Sequence, residues 1–243
     1  MIKNHDTPNC GYMDKRPSII ARMFDRIAPT YDRLNTILSF SVDKAWRRAA
    51  IKFLEINAGD KVLDIATGTG EMAILAAYRG GRITGIDLSR QMLSFAVSKV
   101  RKKNLGIHYT VVQGDALSMP FRNESFNSAM VAFGIRNMEN LEAFLDEMHR
   151  ILSPHGRFSV LEFSVPKRLI FKWIYLAYLT YLVPVIGGLI SGNYGAYRYL
   201  RDSVMGFPAP RVLEGIMEGG GFRVVRSQSL LGGISHLYLI EKQ

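Results

Sequence analysis

Three apolar segments that each close on a carboxylate constrain this chain more than any other feature. They are Lys61-Val62-Leu63-Asp64-Ile65-Ala66-Thr67-Gly68-Thr69-Gly70, then Gly85-Ile86-Asp87-Leu88, then Gly114-Asp115-Ala116. An open α/β sheet binds its ligand beyond the carboxyl ends of its strands, so three such ends in register describe one crevice. Gly68 and Gly70 lack a Cβ, which lets the backbone turn tightly and a ligand lie against it. A helix starting near Glu71 would turn unpaired N–H groups toward the same place. Asp87 stands where an acidic residue accepts both ribose hydroxyls, and Asp115 with Ala116 can bracket an adenine through its exocyclic amine. A single Asp of this kind is commonly a loop or cap residue. Three in register describe an adenosine pocket.

Gly68-Thr69-Gly70-Glu71-Met72-Ala73 also satisfies G-x-G-x-x-A, the dinucleotide fingerprint, and a nicotinamide-dependent dehydrogenase is the alternative it raises. The charges favour another ligand. Asp64 before the loop and Glu71 in the first helical turn would repel a pyrophosphate and hold an ammonium. S-adenosylmethionine (SAM), with a sulfonium, an amino-acid tail and no phosphate, fits better. The expected contacts are Asp64, Thr67, Gly68, Thr69, Gly70, Asp87, Leu88, Asp115 and Ala116, with no metal.

Strands are predicted at Lys61–Ile65, Arg82–Asp87, His108–Gln113, Asn127–Phe133 and Arg157–Phe163, with helices between them and a helical segment from Ser18 to Leu54 before them. Leu141, Phe144, Leu145, Met148, Ile151 and Leu152 recur at helical spacing, with His149 at the boundary of that face. Strands at Phe222–Ser227 and His236–Glu241, separated by Gly232-Gly233, form an antiparallel hairpin at the sheet edge. The expected fold is therefore α/β, a Rossmann-like, seven-stranded, mostly parallel sheet with N-terminal helices and an apolar helical insertion. One domain is expected over residues 1–243: helical extension 1–55, SAM-binding core 56–164, apolar substrate or lid segment 165–210, and C-terminal helix and hairpin 211–243. With 48% hydrophobic residues in 243, the chain can bury a large core. A lone cysteine, Cys10, excludes an intramolecular disulfide, and the first residues lack the apolar run of a signal peptide. A cytoplasmic location is expected.

The formal charge of +10 gathers at Arg47-Arg48, Arg101-Lys102-Lys103 and Lys167-Arg168. Nucleic acid and an anionic membrane are both physical counterparts. Lys99 to Lys103 read as a solvated helix end, where the dipole favours cations. Trp173 to Ile190 carries no charged residue, at the lower length threshold for a membrane span. Pro184 and Gly187-Gly188 are expected to interrupt it, and Tyr175, Tyr178 and Tyr181 to form an amphipathic belt, so a lid or lipid-substrate pocket is favoured over a span. No Asn-Pro-Pro-Tyr-type base pocket is present, and an apolar segment is out of place beside nucleic acid. A non-enzymatic membrane scaffold would leave three aligned Asp residues idle.

Further motifs carry a resemblance: Tyr31-Asp32-Arg33-Leu34-Asn35 with Ser39 and Trp46, Phe133-Gly134-Ile135-Arg136-Asn137, Leu161-Glu162-Phe163-Ser164, and Ile190-Ser191-Gly192-Asn193 with Ala196-Tyr197-Arg198-Tyr199-Leu200 and Phe207-Pro208. From about Phe24 onward the chain resembles the menaquinone/ubiquinone biosynthesis C-methyltransferases, a branch of the class I SAM-dependent methyltransferases. The resemblance implies methyl transfer to a ring carbon of a prenylated quinol, foremost demethylmenaquinol to menaquinol. The benzoquinol precursor of ubiquinone is the alternative. It also implies that Arg136 and Asn137 are the active-site pair and that the apolar segment accepts the isoprenoid-bearing ring; Tyr31 is expected to join the pair in catalysis, Asn193, Tyr194 and Tyr197 to bind the substrate, and Asp32 to support them. Arg136 is assigned to stabilise the phenolate. The competing structural role is an ion pair with Glu139 or Glu142. Peripheral contact with an anionic membrane is expected, with no nucleic-acid partner and a homodimer as an admissible assembly. The chain departs from the family pattern at Asp43 for His, Leu34 for Met, His155-Gly156 for a glycine pair, and Ala132 for a polar residue.

Overall fold

The computed structural model describes residues 13–243, so Cys10 lies outside the described residues. Strands β1 (Lys61–Ile65), β2 (Arg82–Asp87), β3 (Tyr109–Gln113), β4 (Phe126–Ala132), β5 (Leu152–Phe163), β6 (Phe222–Leu230) and β7 (Ser235–Lys242) form one sheet in the order β3-β2-β1-β4-β5-β7-β6. The first five are parallel, and β7 runs antiparallel to both neighbours, β5 and β6. The order reverses beside β1, which opens the crevice at its C-terminal end.

Side chains alternate across the pleat, so Val62 faces one helical layer while Leu63 and Ile65 face the other. Helices α3 (Val42–Leu54), α4 (Glu71–Ala77) and α5 (Arg90–Lys102) supply the first layer, including Trp46, Ile51, Met72 and Ala96. Helices α6 (Leu141–Ile151) and α10 (Pro210–Gly219) supply the second with Phe144, Met148, Leu213 and Met217. The amphipathic face of α6 is buried as its spacing requires, and His149 sits half-buried against the Phe222 ring. Strand β5 starts earlier than Arg157. It pairs Leu152 with Phe126, then makes an excursion through His155 at φ 59° before pairing resumes at Arg157 and Ser128.

A third cluster roofs the C-terminal edge of the sheet, built from α1 (Pro17–Ile27), α2 (Tyr31–Leu38), α7 (Leu169–Ala177), α8 (Val183–Ser191) and α9 (Tyr194–Met205). The apolar segment is not interrupted as its Pro and Gly residues suggest. Helix runs from Leu169 to Ser191, long and apolar enough to cross a membrane, through a π-helical stretch at Tyr178–Leu182 just before Pro184. Proline is tolerated in the first turn that follows such a break, where its missing N–H has no role. The tyrosine belt is also corrected. Tyr175 is buried, Tyr178 donates its hydroxyl to the Leu38 carbonyl, and only Tyr181 faces outward.

Gly187 and Gly188 allow α9 to pack on α8 at close range, because a Cβ on either would enter the rings of Tyr197 and Tyr194. Gly187→Ala is therefore expected to cost about 1–3 kcal/mol by overpacking and to push Tyr197 off its seat. Denaturant unfolding checks the first effect. A raised acceptor KM with unchanged SAM affinity checks the second.

Candidate active site

Two cavities meet at the C-terminal edge of the sheet. One is a cleft over β1, β2 and β4, and the other a larger, mainly apolar chamber beneath α7 to α9. Phe24, Tyr31 and Phe133 line both, so the cavities share a wall.

The cleft gathers Gly68, Asp87, Leu88, Asp115 and Ala116, as the strand-end reading required. Asp87 Oδ2 accepts from the Gly68 N–H and Oδ1 from the Ser89 N–H, both at 2.8 Å. Burial pushes its pKa up to about 6, against those N–H groups that hold it down. Asp115 Oδ1 accepts from the Leu117 N–H at 2.9 Å. Asn137 also lines the cleft, with Oδ1 buried and without a hydrogen-bond partner. Among the described lining residues the charged side chains are carboxylates, which only accept, except Lys15, whose Nζ donates to the Met138 carbonyl at 3.4 Å. Acceptors for two hydroxyls and an amine, with no phosphate cradle, fit adenosine and a cationic tail.

Four predicted contacts turn elsewhere. Asp64 is buried beneath the loop, where the Thr67 hydroxyl donates to it at 2.6 Å and also lies 3.1 Å from the Tyr109 hydroxyl. Burial pushes Asp64 up to about 7, opposed by Thr67 and by the nearby Arg47 charge. Thr69 donates to Asp32 and accepts from Lys99, and Gly70 packs against Ala96 with φ 81°. These residues shape the loop and do not line the cleft. Glu71 is not held for a ligand either, since Lys99 lies 2.6 Å from both Glu71 and Asp32. Lys99 is thus an internal clamp and not a solvated helix end, and Asp32 faces away from the chamber.

Arg136 lies in the turn after β4 and lines the chamber. Its ion-pair partner is Glu162 of β5 at 2.9 Å, not Glu139 or Glu142. Glu162 also accepts from the Arg136 backbone N–H, and the Arg136 guanidinium donates to the Phe133 carbonyl and sits 5.3 Å from the Phe163 ring. Its Nε is buried without a partner, as is the Tyr199 hydroxyl on the same chamber. Tyr31 and Tyr197 line the chamber as expected. Asn193 and Tyr194 do not: Asn193 caps α9 by accepting from the Ala196 N–H at 3.1 Å, and Tyr194 covers Gly188. Glu162, Tyr199, Lys15 and Phe24 were not assigned a role from sequence. Of these, only Glu162 and Tyr199 lay in a motif.

The mixed seven-stranded sheet and the acceptor-lined cleft at its topological switch define a class I SAM-dependent methyltransferase. A SAM-dependent methyltransferase from Aquifex aeolicus shares the fold, at TM-score 0.58 and 17% identity over 81% of this chain and 89% of that one. The chain belongs to the ubiE/COQ5 methyltransferase family, whose model matches residues 12–242. It is 46% identical to the ubiquinone/menaquinone biosynthesis C-methyltransferase UbiE of Syntrophotalea carbinolica, over 93% of this chain and 95% of that relative. It is 41% identical to the demethylmenaquinone methyltransferase of Thermus thermophilus, over 89% and 98%.

Proposed function

We propose that this methyltransferase converts demethylmenaquinol to menaquinol by methylating a ring carbon. The observation that carries this reading is the apolar chamber lying beside the acceptor-lined cleft and sharing Phe24, Tyr31 and Phe133 with it, with the buried Arg136 guanidinium on the chamber wall. SAM supplies an electrophilic methyl group, so the chain's own task is to align the acceptor and enrich its ring carbon in electrons. Loss of the hydroxyl proton does the latter. Arg136 hardly deprotonates and serves as a cation that stabilises the phenolate, held in place by Glu162. Phe133 and Phe163, stacked on each other at 4.4 Å, line the chamber beside Arg136 and give an aromatic ring an apolar surface to pack against. Labelled SAM offered with reduced demethylmenaquinone and, separately, with the reduced benzoquinone precursor tests the assignment. Ring methylation of the first in preference to the second is expected, and transfer to neither would overturn it.

We infer from the same chamber a peripheral stay at the cytoplasmic face of the membrane. Phe40, Phe171, Ile174 and Leu231 line it and are also exposed, so its mouth lies in an apolar surface that includes Ile170, Trp173 and Leu189. Exposed Lys167, Arg168 and Lys172 flank that surface and suit anionic lipid. Trp173 is 68% exposed and Trp46 only 7%, so a blue shift in emission on adding anionic vesicles reports Trp173. The shift is expected to weaken in Arg168→Glu/Lys172→Glu. Absence of both the shift and cosedimentation would refute the membrane reading.

A further inference from the structure

A second buried ion pair faces the chamber. Asp43 and Arg47, one turn apart on α3, are 9% and 8% exposed and both line it. Asp43 Oδ1 accepts from the Ser39 hydroxyl at 2.7 Å. Its Oδ2 lies 3.6 Å from Arg47 Nε, too far for a hydrogen bond, and that Nε is buried with no partner. The Arg47 guanidinium sits 5.1 Å from the Phe133 ring, whereas Arg136 sits over Phe163, the other ring of the stacked pair. An unmet acceptor and an unmet donor side by side are completed by a group that both donates and accepts. A hydroxyl does this, whereas a ketone oxygen only accepts.

Resting on the quinol reading above, we propose that Asp43 and Arg47 hold the second hydroxyl of the quinol and make the chamber selective for the reduced ring over the oxidised quinone. A 1,4-diol carries its oxygens at opposite ends of the ring, so a ring in the chamber beside Phe133 and Phe163 can turn one oxygen to Arg136, at Phe163, and the other to Asp43 and Arg47, at Phe133. Arg136 only donates, and hydroxyl, phenolate and ketone oxygens can all receive its hydrogen bond. Among the described lining residues Asp43 is the one carboxylate, and Glu162, which does not line the chamber, has both oxygens engaged by Arg136 and the Phe163 N–H. A quinone carbonyl can accept from Arg47 Nε, but it brings no donor to Asp43 Oδ2 and sets its lone pairs against that carboxylate. Sites built to hydrogen-bond a substrate hydroxyl reject the analogue lacking it for this reason.

The test is competition by oxidised demethylmenaquinone, measured anaerobically as Ki beside the KM of the reduced form, in wild type, Asp43→Asn and Asp43→Glu. The quinone Ki is expected to exceed the quinol KM at least tenfold in wild type. The ratio should collapse toward one in Asp43→Asn, whose amide can also donate, and survive in Asp43→Glu. Because it is a ratio of two constants, partial unfolding of a variant does not alter it. Equal affinities in wild type, or an unchanged ratio in Asp43→Asn, overturn the assignment while leaving quinol methylation standing. No methylation of the quinol by wild type overturns both.

Discussion

Arg136→Ala is expected to abolish most methyl transfer while leaving SAM affinity unchanged, and to lower the melting temperature as well. Arg136 is 5% exposed and Glu162 1%, so removing the guanidinium strands a buried carboxylate. Breaking a buried pair in this way costs about 3–5 kcal/mol, roughly 6–20 °C in Tm for a domain of this size. Catalysis and stability separate in the double variant Arg136→Met/Glu162→Gln, which removes both charges. Its Tm should recover most of the loss, whereas kcat should stay down on the order of 10²–10³-fold, the usual effect of deleting one group that stabilises developing charge. Near-native turnover in that double variant would reduce Arg136 to a structural residue.

Asp87→Ala has the opposite signature. SAM affinity should fall on the order of 10²-fold or more, because two hydrogen bonds to a charged acceptor are lost. Turnover at saturating SAM should fall far less. The same carboxylate sets a pH dependence. Burial raises its pKa to about 6, and the ionised form is the acceptor, so affinity is full above that value and declines as pH falls through it. Below the pKa the decline approaches about tenfold per pH unit. Asp87→Asn, which has no charge to lose, should bind weakly at every pH without that slope. Calorimetric titrations across the range check both. Equal SAM affinity in wild type and Asp87→Ala would remove Asp87 from the site.

Residues at strand ends were legible because sheet topology alone places them. Asp87 ends β2 and Asp115 follows β3, and both line the crevice beyond the strand ends. Asp64 obeyed the same pattern yet turned inward, because its fate depends on Thr67 and on Arg47 of α3, and no short-range spacing announces the latter. Lys99, read as a solvated cation, was claimed by Asp32 and Glu71 from two other helices. Long-range pairing of this kind also hid the true partner of Arg136, 26 residues away on β5. Asn193 is a different case. It follows Gly192 at φ 71° and precedes α9, a helix stop and start that local chemistry could have identified as a cap. Lys15 and Phe24 carry no motif, and only the packing of α1 across both cavities brings them to the site.

The apolar segment shows how composition and local breakers can disagree. Pro184 and the paired glycines read as interruptions, yet the π-helical stretch absorbs the proline and the glycines seat Tyr194 and Tyr197. The helix is therefore continuous, with Tyr175, Leu179 and Val183 turned to the chamber and Trp173 and Leu189 turned outward.

The measurement that tests the account most directly is where the methyl group lands. SAM carrying a ¹³C methyl, incubated anaerobically with the protein and reduced demethylmenaquinone, gives a product whose carbon resonance separates an aryl methyl from a methyl ether. The account predicts label only on the ring carbon beside a hydroxyl. Label on oxygen, or SAM binding with no labelled quinol at all, would contradict it.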